Sequence, residues 1–211
     1  MDRIKIIHIL HSVGGVDTSL RVILESIDSS CFENIVIHGT KDNTNFFNDN
    51  KNYVREYTIP IEREINLIKD FKSIIKTCRI IKKEKPDLIH AHSAKGGLIG
   101  NIIGLFINSV TVLHTPQAYS FLSTSNKFKR GFFLLVERVL KNRNSILLAS
   151  SNSELQRGIH EVKYKKSKTA LFNNCISPIK LDTQFSDLSA YNLPKEFICT
   201  DGRPSYQKNN S

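Results

Sequence analysis

The sequence predicts an α/β protein with a parallel sheet and helices on both faces. Short apolar runs of strand length alternate with longer segments of helical period, the pattern of consecutive β-α-β units. The residues that follow the apolar runs are polar and rich in glycine, as expected where a parallel sheet collects ligands outside its carboxyl edge. A length of 211 residues with 40% hydrophobic and 24% charged residues suits one good-sized buried core.

The first strand is predicted over Ile4–Leu10. Gly14-Gly15 breaks the chain, Asp17 or Thr18 can cap a helix, and Leu20, Ile23, Leu24 and Ile27 then share one helical face. Asn34–Gly39 reads as the second strand, 40–56 as a polar loop, and Tyr57–Ile59 as a short strand before Pro60. Glu64–Lys83 carries Ile68, Phe71, Ile75 and Cys78 at helical spacing, and Pro86 stops it. Asp87–Ala91 is a strand leading through His92-Ser93-Ala94-Lys95-Gly96-Gly97 into an apolar helix ending near Phe106. Val110–Leu113 is a strand closed by His114-Thr115-Pro116, and Asn126–Leu140 is a helix with Phe132, Phe133, Val136, Val139 and Leu140 on its apolar side. Ser145–Ala149, Asn152–Ile159 and Lys168–Phe172 complete the pattern as strand, short helix and strand, before a loop at Asn173-Asn174. Asp182–Pro194 is polar and turn-rich, a linker, and Phe197–Thr200 reads as one further strand running into Gly202, Arg203 and Lys208. The organisation expected is a domain over 1–192 and the opening strand and loop of a second over 193–211.

A net charge of +10 calls for anionic partners. The basic residues cluster at Arg79–Lys85, Lys127–Arg130, Lys141–Arg143 and Lys163–Lys168, mostly near helix ends, and no nucleic-acid-binding motif accompanies them. That pattern excludes nucleic acid and favours anionic lipid or phosphorylated small molecules. No stretch has the roughly 18 to 20 apolar residues of a membrane span, and the first residues lack a signal-peptide core, so a cytoplasmic place, at most peripheral to the inner membrane face, is expected. Cys31, Cys78, Cys175 and Cys199 are far apart, which predicts reduced, mostly buried thiols rather than disulfides or a zinc site.

Several strand ends carry chemistry. Gly14-Gly15 lets backbone approach a ligand closely ahead of a helix N-terminus, though the pair serves equally as a turn. It is not a Gly-x-Gly-x-x-Gly fingerprint, which disfavours a dinucleotide dehydrogenase. His90 and His92 share one face of a strand end and, with His114, offer metal-ligand chemistry; hydrogen bonding to loop backbone accounts for them as well, and no metal is expected. His114, ahead of Thr115-Pro116, is placed either to meet a sugar hydroxyl in a cleft or to pack as a structural histidine. In Asn126–Leu140 the aromatics are expected in the core, and Lys127, Lys129 and Arg130 remain for lipid contact. Gly202, Arg203 and Lys208 after a strand are the ingredients of an oxyanion site.

Five segments in order, Asp87-Leu-Ile-His-Ala-His-Ser-Ala-Lys-Gly-Gly, His114-Thr-Pro-Gln-Ala-Tyr-Ser-Phe, Ala149-Ser-Ser-Asn-Ser-Glu154, Asn174-Cys-Ile and Gly202-Arg-Pro-Ser-Tyr-Gln-Lys-Asn, make this chain resemble the family 4 type of retaining bacterial glycosyltransferases. The resemblance runs along essentially the whole chain. It implies the GT-B architecture, two Rossmann-like domains facing a cleft, with the present residues forming the N-terminal, acceptor-side domain and stopping at the start of the C-terminal one. It further implies metal-independent, retaining transfer from a nucleotide-diphosphate sugar, without a cofactor, to a glycan or lipid-linked acceptor in surface polysaccharide or lipopolysaccharide assembly. By this resemblance Gly14 and Gly15 lie beside the donor diphosphate, Arg203 and Lys208 hold it, and His114 contacts the donor sugar as the catalytic candidate. His92, Ser93, Lys95, Gln117, Tyr119 and Glu154 are the remaining cleft or acceptor candidates, with helix capping a sufficient account of Glu154. Relatives carry histidine and glycine where this chain has Gln117 and Ala118, which marks the acceptor side as different.

The 211 residues alone are expected to transfer little or nothing, and a separately encoded C-terminal half is a candidate partner. Three rivals stand beside this reading: a nucleotide-sugar epimerase of the same architecture, a non-catalytic module that binds a glycan or partner, and a truncated product with no function of its own.

Overall fold

The structure is a computed structural model that describes residues 2–39, 45–62, 66–107, 109–141 and 143–172. The Asn173-Asn174 loop, Cys175, the linker at 182–194, the boundary at 192/193, the strand at 197–200, and Gly202, Arg203 and Lys208 lie outside the described residues. All described residues belong to one compact unit.

Seven strands, β1 (Ile4–Leu10), β2 (Phe32–His38), β3 (Arg55–Thr58), β4 (Leu88–His92), β5 (Thr111–Thr115), β6 (Ser145–Ala149) and β7 (Thr169–Leu171), form one sheet in the order β3-β2-β1-β4-β5-β6-β7. Every pairing is parallel, as β-α-β connections require. The connecting helices are α1 (Gly15–Ser26), α2 (Leu67–Glu84), α3 (Ser93–Phe106), α4 (Lys127–Leu140) and α5 (Asn152–Arg157), the last running into a π turn over Gly158–Val162. The strand order reverses direction between β1 and β4. Their carboxyl ends therefore flank the crevice where open α/β sheets bind ligands.

Register and alternation assign the two faces. Ile7, Ile9, Ile35, Ile37, Ile89, Ala91 and Val112 form the main core with Ile81 of α2 and Ile99 and Ile103 of α3. The opposite face puts Leu10 and Val36 against Leu20 and Leu24 of α1, with Phe46 and Val54. A third cluster joins Tyr119, Phe121, Leu147, Ala149, Val162 and Tyr164. The glycines of α3 set its distance from the sheet. A Cβ on Gly96 would stand 2.3 Å from the Ile9 carbonyl oxygen, and one on Gly100 would stand 2.8 Å from Ala91 Cβ. These residues are small because backbone lies on backbone.

Several expectations need correction. α1 begins at Gly15 after Gly14, whose φ of 66° suits glycine; Asp17 lies in the first turn and neither it nor Thr18 is the cap. β2 and β3 each begin two residues before their expected starts because pairing extends them: Phe32 pairs with Ile4 of β1, and Arg55 through Thr58 pair with Ile35 through His38 of β2. Within the expected loop, Phe46 and Val54 enter the core and Phe47 pairs with Tyr53. Cys31 is exposed and Cys78 only partly buried.

The largest correction concerns the helices. On α2 the expected apolar face is claimed by the core only in part: Ile68 and Phe71 are exposed, as is Leu67, and Ile75 and Cys78 are half-buried, while the buried stripe is Asp70, Ser73, Thr77, Ile81 and Glu84. That polar stripe is tolerated because its charges are paired. Lys95 Nζ lies 2.8 and 2.9 Å from the two Asp70 oxygens. Glu84 accepts from the Tyr57 hydroxyl and from Arg55 at 2.9 Å, and that hydrogen bond from Tyr57 is the main reason its carboxyl is held below the usual range. α4 has no buried residue; Phe133 and Leu134 lean on the third cluster, but Phe128, Phe132, Leu135 and Val139 face away, so the expected burial of the aromatics holds only for Phe133, and partly.

Candidate active site at the sheet switch point

The site is built from the loops that leave β1, β4, β5 and β6. After β1 the backbone turns at Gly14, and Gly15 opens α1 with nothing within 4 Å of where a Cβ would sit. The exposed first turn of α1 thus keeps room for a ligand close to backbone N–H groups. Beneath it, buried Asp17 accepts from the Ser12 hydroxyl and from Arg21 Nε at 2.7 Å. Arg21 in turn reaches the Asn45 carbonyl at 2.9 Å and stacks over Phe46 at 4.3 Å. This linkage ties the glycine turn to the residues around Phe46.

After β4, Ser93 takes a φ of 60° and starts α3 directly. Lys95 is buried and committed to Asp70, so it ties α2 to α3 instead of standing free in a cleft. Gly97 gives way to an imidazole: a Cβ there would lie 2.1 Å from His114 Nε2. His114, at the carboxyl end of β5, is fully buried, with Nε2 3.4 Å from the Ser93 carbonyl. Burial drives its pKa down to about 4, against a smaller opposing effect of the Ser93 carbonyl, so it is neutral at physiological pH.

The loop after β5 is strained in an informative way. Gln117 has φ 51° and Ala118 has φ 111°. Relatives that place glycine here would meet that conformation without cost; this chain holds an alanine in it. Glu154 supplies the restraint. Its Oε1 accepts from Ala118 N at 3.1 Å, and its Oε2 accepts from Ser150 N at 2.7 Å and Ser150 Oγ at 2.9 Å. Ser151 caps α5 through Glu154 N at 3.2 Å, so Glu154 both belongs to the cap and locks the β5 and β6 loops together. Tyr119 points into the third cluster, stacked on Phe121, and burial raises its hydroxyl pKa.

The opposite side of the sheet holds a feature the sequence concealed. β1 pairs His8 with His90, and His92 lies two residues further on the same face. His114 pairs with Ala91 and so belongs to the other face, which corrects the grouping of His90, His92 and His114. His8 Nδ1 lies 3.1 Å from His92 Nε2, His8 Nε2 lies 3.1 Å from Asn34 Oδ1, and His90 Nε2 lies 2.9 Å from Thr115 Oγ1. All three rings are buried. Desolvation lowers each pKa, to about 4 for His8, and the mutual proximity of the rings lowers those of His90 and His92 further. Neither His8 nor Asn34 carries a sequence signal, since each sits inside an apolar run and meets its partners only once the parallel register is known.

Of the expected residues, the structure places Gly14, Gly15, Ser93, Gln117 and Glu154 in the loops and first helical turns that follow the carboxyl ends of the strands, Glu154 being buried there, and turns His92, Lys95, His114 and Tyr119 into the interior. Arg203 and Lys208 lie outside the described residues.

Comparison with known proteins follows the same lines. The profile described as Glycosyltransferase Family 4 matches residues 13–179. An Escherichia coli UDP-Gal:alpha-D-GlcNAc-diphosphoundecaprenol alpha-1,3-galactosyltransferase is 28% identical over 176 residues, covering 82% of this chain and 45% of that protein. A glycosyltransferase from Rickettsia africae superposes with a TM-score of 0.57 at 14% identity, over 82% of this chain and 43% of the other. A UDP-N-acetylglucosamine 2-epimerase from Rickettsia bellii superposes with a TM-score of 0.58 at 13% identity, over 82% and 45%. The chain thus spans less than half the length of these relatives.

Proposed function

This chain belongs to Glycosyltransferase Family 4, and from that membership we propose that it serves transfer of a sugar from a nucleotide-diphosphate donor to a glycan or lipid-linked acceptor in cell-surface polysaccharide assembly. The observation that carries the reading is the coincidence of the family match with the switch-point loops: the open first turn of α1 at Gly15 and the restrained Gln117-Ala118 loop stand at the carboxyl edge of one parallel sheet. The chemistry expected is electrostatic and retaining, with helix N-termini, Arg203 and Lys208 stabilising the departing nucleotide diphosphate, and it needs no metal at the reacting atoms. His114 enters as a positioning residue that fixes Ser93 and the start of α3; direct contact with the donor sugar would need its buried Nδ1, which has no partner among the described residues.

An acceptor held in a membrane is supported by α4. Phe128 (91% exposed), Phe132 (60%), Leu135 and Val139 fall at helical spacing along one outward ridge, beside exposed Lys127 and Lys129. An apolar ridge bordered by cations fits an anionic leaflet. Among the described residues no helix is long and apolar enough to cross a membrane. The E. coli relative acts, by its name, on a diphosphoundecaprenol-linked sugar, and an acceptor of that class is the one proposed here.

The test is turnover of a nucleotide-sugar panel with a polyprenyl-diphosphate-linked acceptor in anionic vesicles, by these 211 residues alone and with a complementing C-terminal domain. Transfer by the complemented protein, and little or none by the 211 residues, is expected, because a half cleft cannot preorganise both substrates. Release of free nucleotide with an unmodified acceptor would favour the epimerase reading, which the fold accommodates equally. Failure to co-sediment with anionic vesicles at low salt would remove the membrane part.

A further inference from the structure

We infer that His8, His90 and His92 form a three-histidine site for a borderline divalent metal such as Zn²⁺, clipping β1 to β4 beneath the switch-point loops. One ring nitrogen from each of the three lies within 4.8 Å of the others, and His8 Nδ1 and His92 Nε2 are 3.1 Å apart. Two imidazole ligands at about 2.0 Å from one tetrahedral zinc are separated by roughly 3.3 Å, so this pair is already at ligand spacing.

The protonation state favours a metal as well. The Asn34 carbonyl oxygen can only accept, so His8 carries its proton on Nε2 and turns the Nδ1 lone pair toward His92. A ligating histidine held by a hydrogen bond from its other ring nitrogen is the usual arrangement around protein-bound zinc. His90 Nε2 pairs with Thr115 Oγ1 at 2.9 Å, and a hydroxyl that accepts there leaves the Nδ1 lone pair for coordination.

Two further considerations agree. The ligands stand on adjacent strands of a parallel sheet and not on loops, so the geometry is preset by the backbone. An all-imidazole set selects zinc, copper, nickel or cobalt over magnesium or calcium. A three-histidine shell also leaves one position for a solvent oxygen or small anion. The inference is independent of transfer chemistry, since the cluster faces away from His114 and its metal would act as a structural clip.

The untagged, chelator-stripped 211-residue chain should be titrated with Co²⁺, then Zn²⁺, following visible absorption, X-ray absorption and thermal unfolding. Saturation at one Co²⁺ per chain with the spectrum of a four-coordinate nitrogen site is expected, with displacement by one Zn²⁺, three imidazoles in the X-ray absorption, and a higher Tm. Asn34→Leu should weaken Co²⁺ binding about 10- to 100-fold by freeing the His8 ring. His92→Asn should weaken it more than about 100-fold, since a ligand is lost outright. His160→Asn, at an exposed histidine, should change nothing. Non-saturating binding, fewer than three imidazoles on the wild-type chain, or unchanged affinity in both Asn34→Leu and His92→Asn overturns the site. If His92→Asn fails to fold, the wild-type imidazole count decides alone.

Discussion

Replacing Gly96 by alanine tests the claim that the glycines after His92 exist for helix–sheet contact and not for an anion loop. The added Cβ would stand 2.3 Å from the Ile9 carbonyl oxygen and 3.2 Å from its carbon, both backbone atoms of a central strand that cannot rotate aside. To restore ordinary contact α3 must retreat by about 1 Å, and a gap of that size forfeits a quarter to a half of each affected dispersion contact. Ile99 and Ile103, which seal the main core from α3, lie on the retreating helix. Overpacking of this kind costs about 1–3 kcal/mol or more, while exchanging glycine for alanine within a helix returns about 1 kcal/mol. Because the clash falls on backbone that cannot move aside, the upper end of that range applies, and a net loss of about 2 kcal/mol follows. Gly131, in the middle of α4 with nothing within 4 Å of a Cβ, undergoes the same chemical change without the clash. Gly131→Ala should therefore stabilise by up to about 1 kcal/mol, so two identical substitutions should differ by about 3 kcal/mol. Urea unfolding followed by far-UV circular dichroism, with m-values compared, measures both. A Gly96→Ala protein within 0.5 kcal/mol of wild type, on the order of a neutral surface change, would refute the packing argument and return Gly96 to a ligand loop.

Lys95→Met should cost about 3 kcal/mol in the same assay by leaving Asp70 buried against α3, and Asp70→Leu/Lys95→Met together should recover most of that loss. Ala118→Gly should raise stability by about 1 kcal/mol, since a φ of 111° is strained for alanine and free for glycine; an unchanged or lower midpoint would mean that the loop is not strained. Desolvation by its neighbours lifts the carboxyl of half-buried Glu137 on α4 to about 7, against the smaller effect of a hydrogen bond with Ser120. Its folded pKa lies above its unfolded value, so the stability it supplies is complete below about pH 4.5 and is lost as pH rises through 7. Glu137→Gln, a mimic of the protonated form, should accordingly stabilise by about 1–2 kcal/mol at pH 8 and by nothing near pH 4, and equal effects at both values would dismiss the assignment.

Much of the fold was legible because a parallel sheet covered on both faces writes its strands as continuous apolar runs. Ile4–Leu10 and Ser145–Ala149 fall where the runs place them, and the glycine break and Pro86 end their elements as expected. Strand ends were displaced where pairing, not composition, decides them. Arg55 and Glu56 look like loop residues until β2 offers a partner edge. The candidate site was legible only as loops. Gly14-Gly15 announced close backbone approach, but nothing local in the sequence shows that Lys95 is already spoken for by Asp70, 25 residues away, or that Glu154 reaches back 36 residues to Ala118. Such pairs are created by topology, and so is the triad, in which His8 meets His90 across 82 positions of chain through one register.

Apolar periodicity marks a face but not what covers it, and the two long amphipathic helices show the difference. On α2 the Ile68-Phe71 side reads as core by every local rule, yet the sheet takes the adjoining stripe, because Asp70 and Glu84 find cationic partners there and carry Ile81 in with them. On α4 the neighbouring residues Phe132 and Phe133 differ by about 100° of helix rotation, enough to send one outward and one toward Leu134 and the third cluster. A sequence with equal apolar content on both sides of that angle cannot announce which side its own core will claim. What it does announce is that a ridge will be left over, and on α4 the ridge lies among lysines. The proposed membrane contact gives the outward phenylalanines and the adjacent cations one physical explanation in common, a surface that is apolar a few ångströms down and negatively charged at its rim. Phe132→Glu separates that explanation from chance exposure: it should release the protein from anionic vesicles while leaving the urea stability within about 0.5 kcal/mol of wild type, because the side chain it replaces is mostly exposed and its ring meets, among the described residues, only that of neighbouring Phe133, at 5.9 Å.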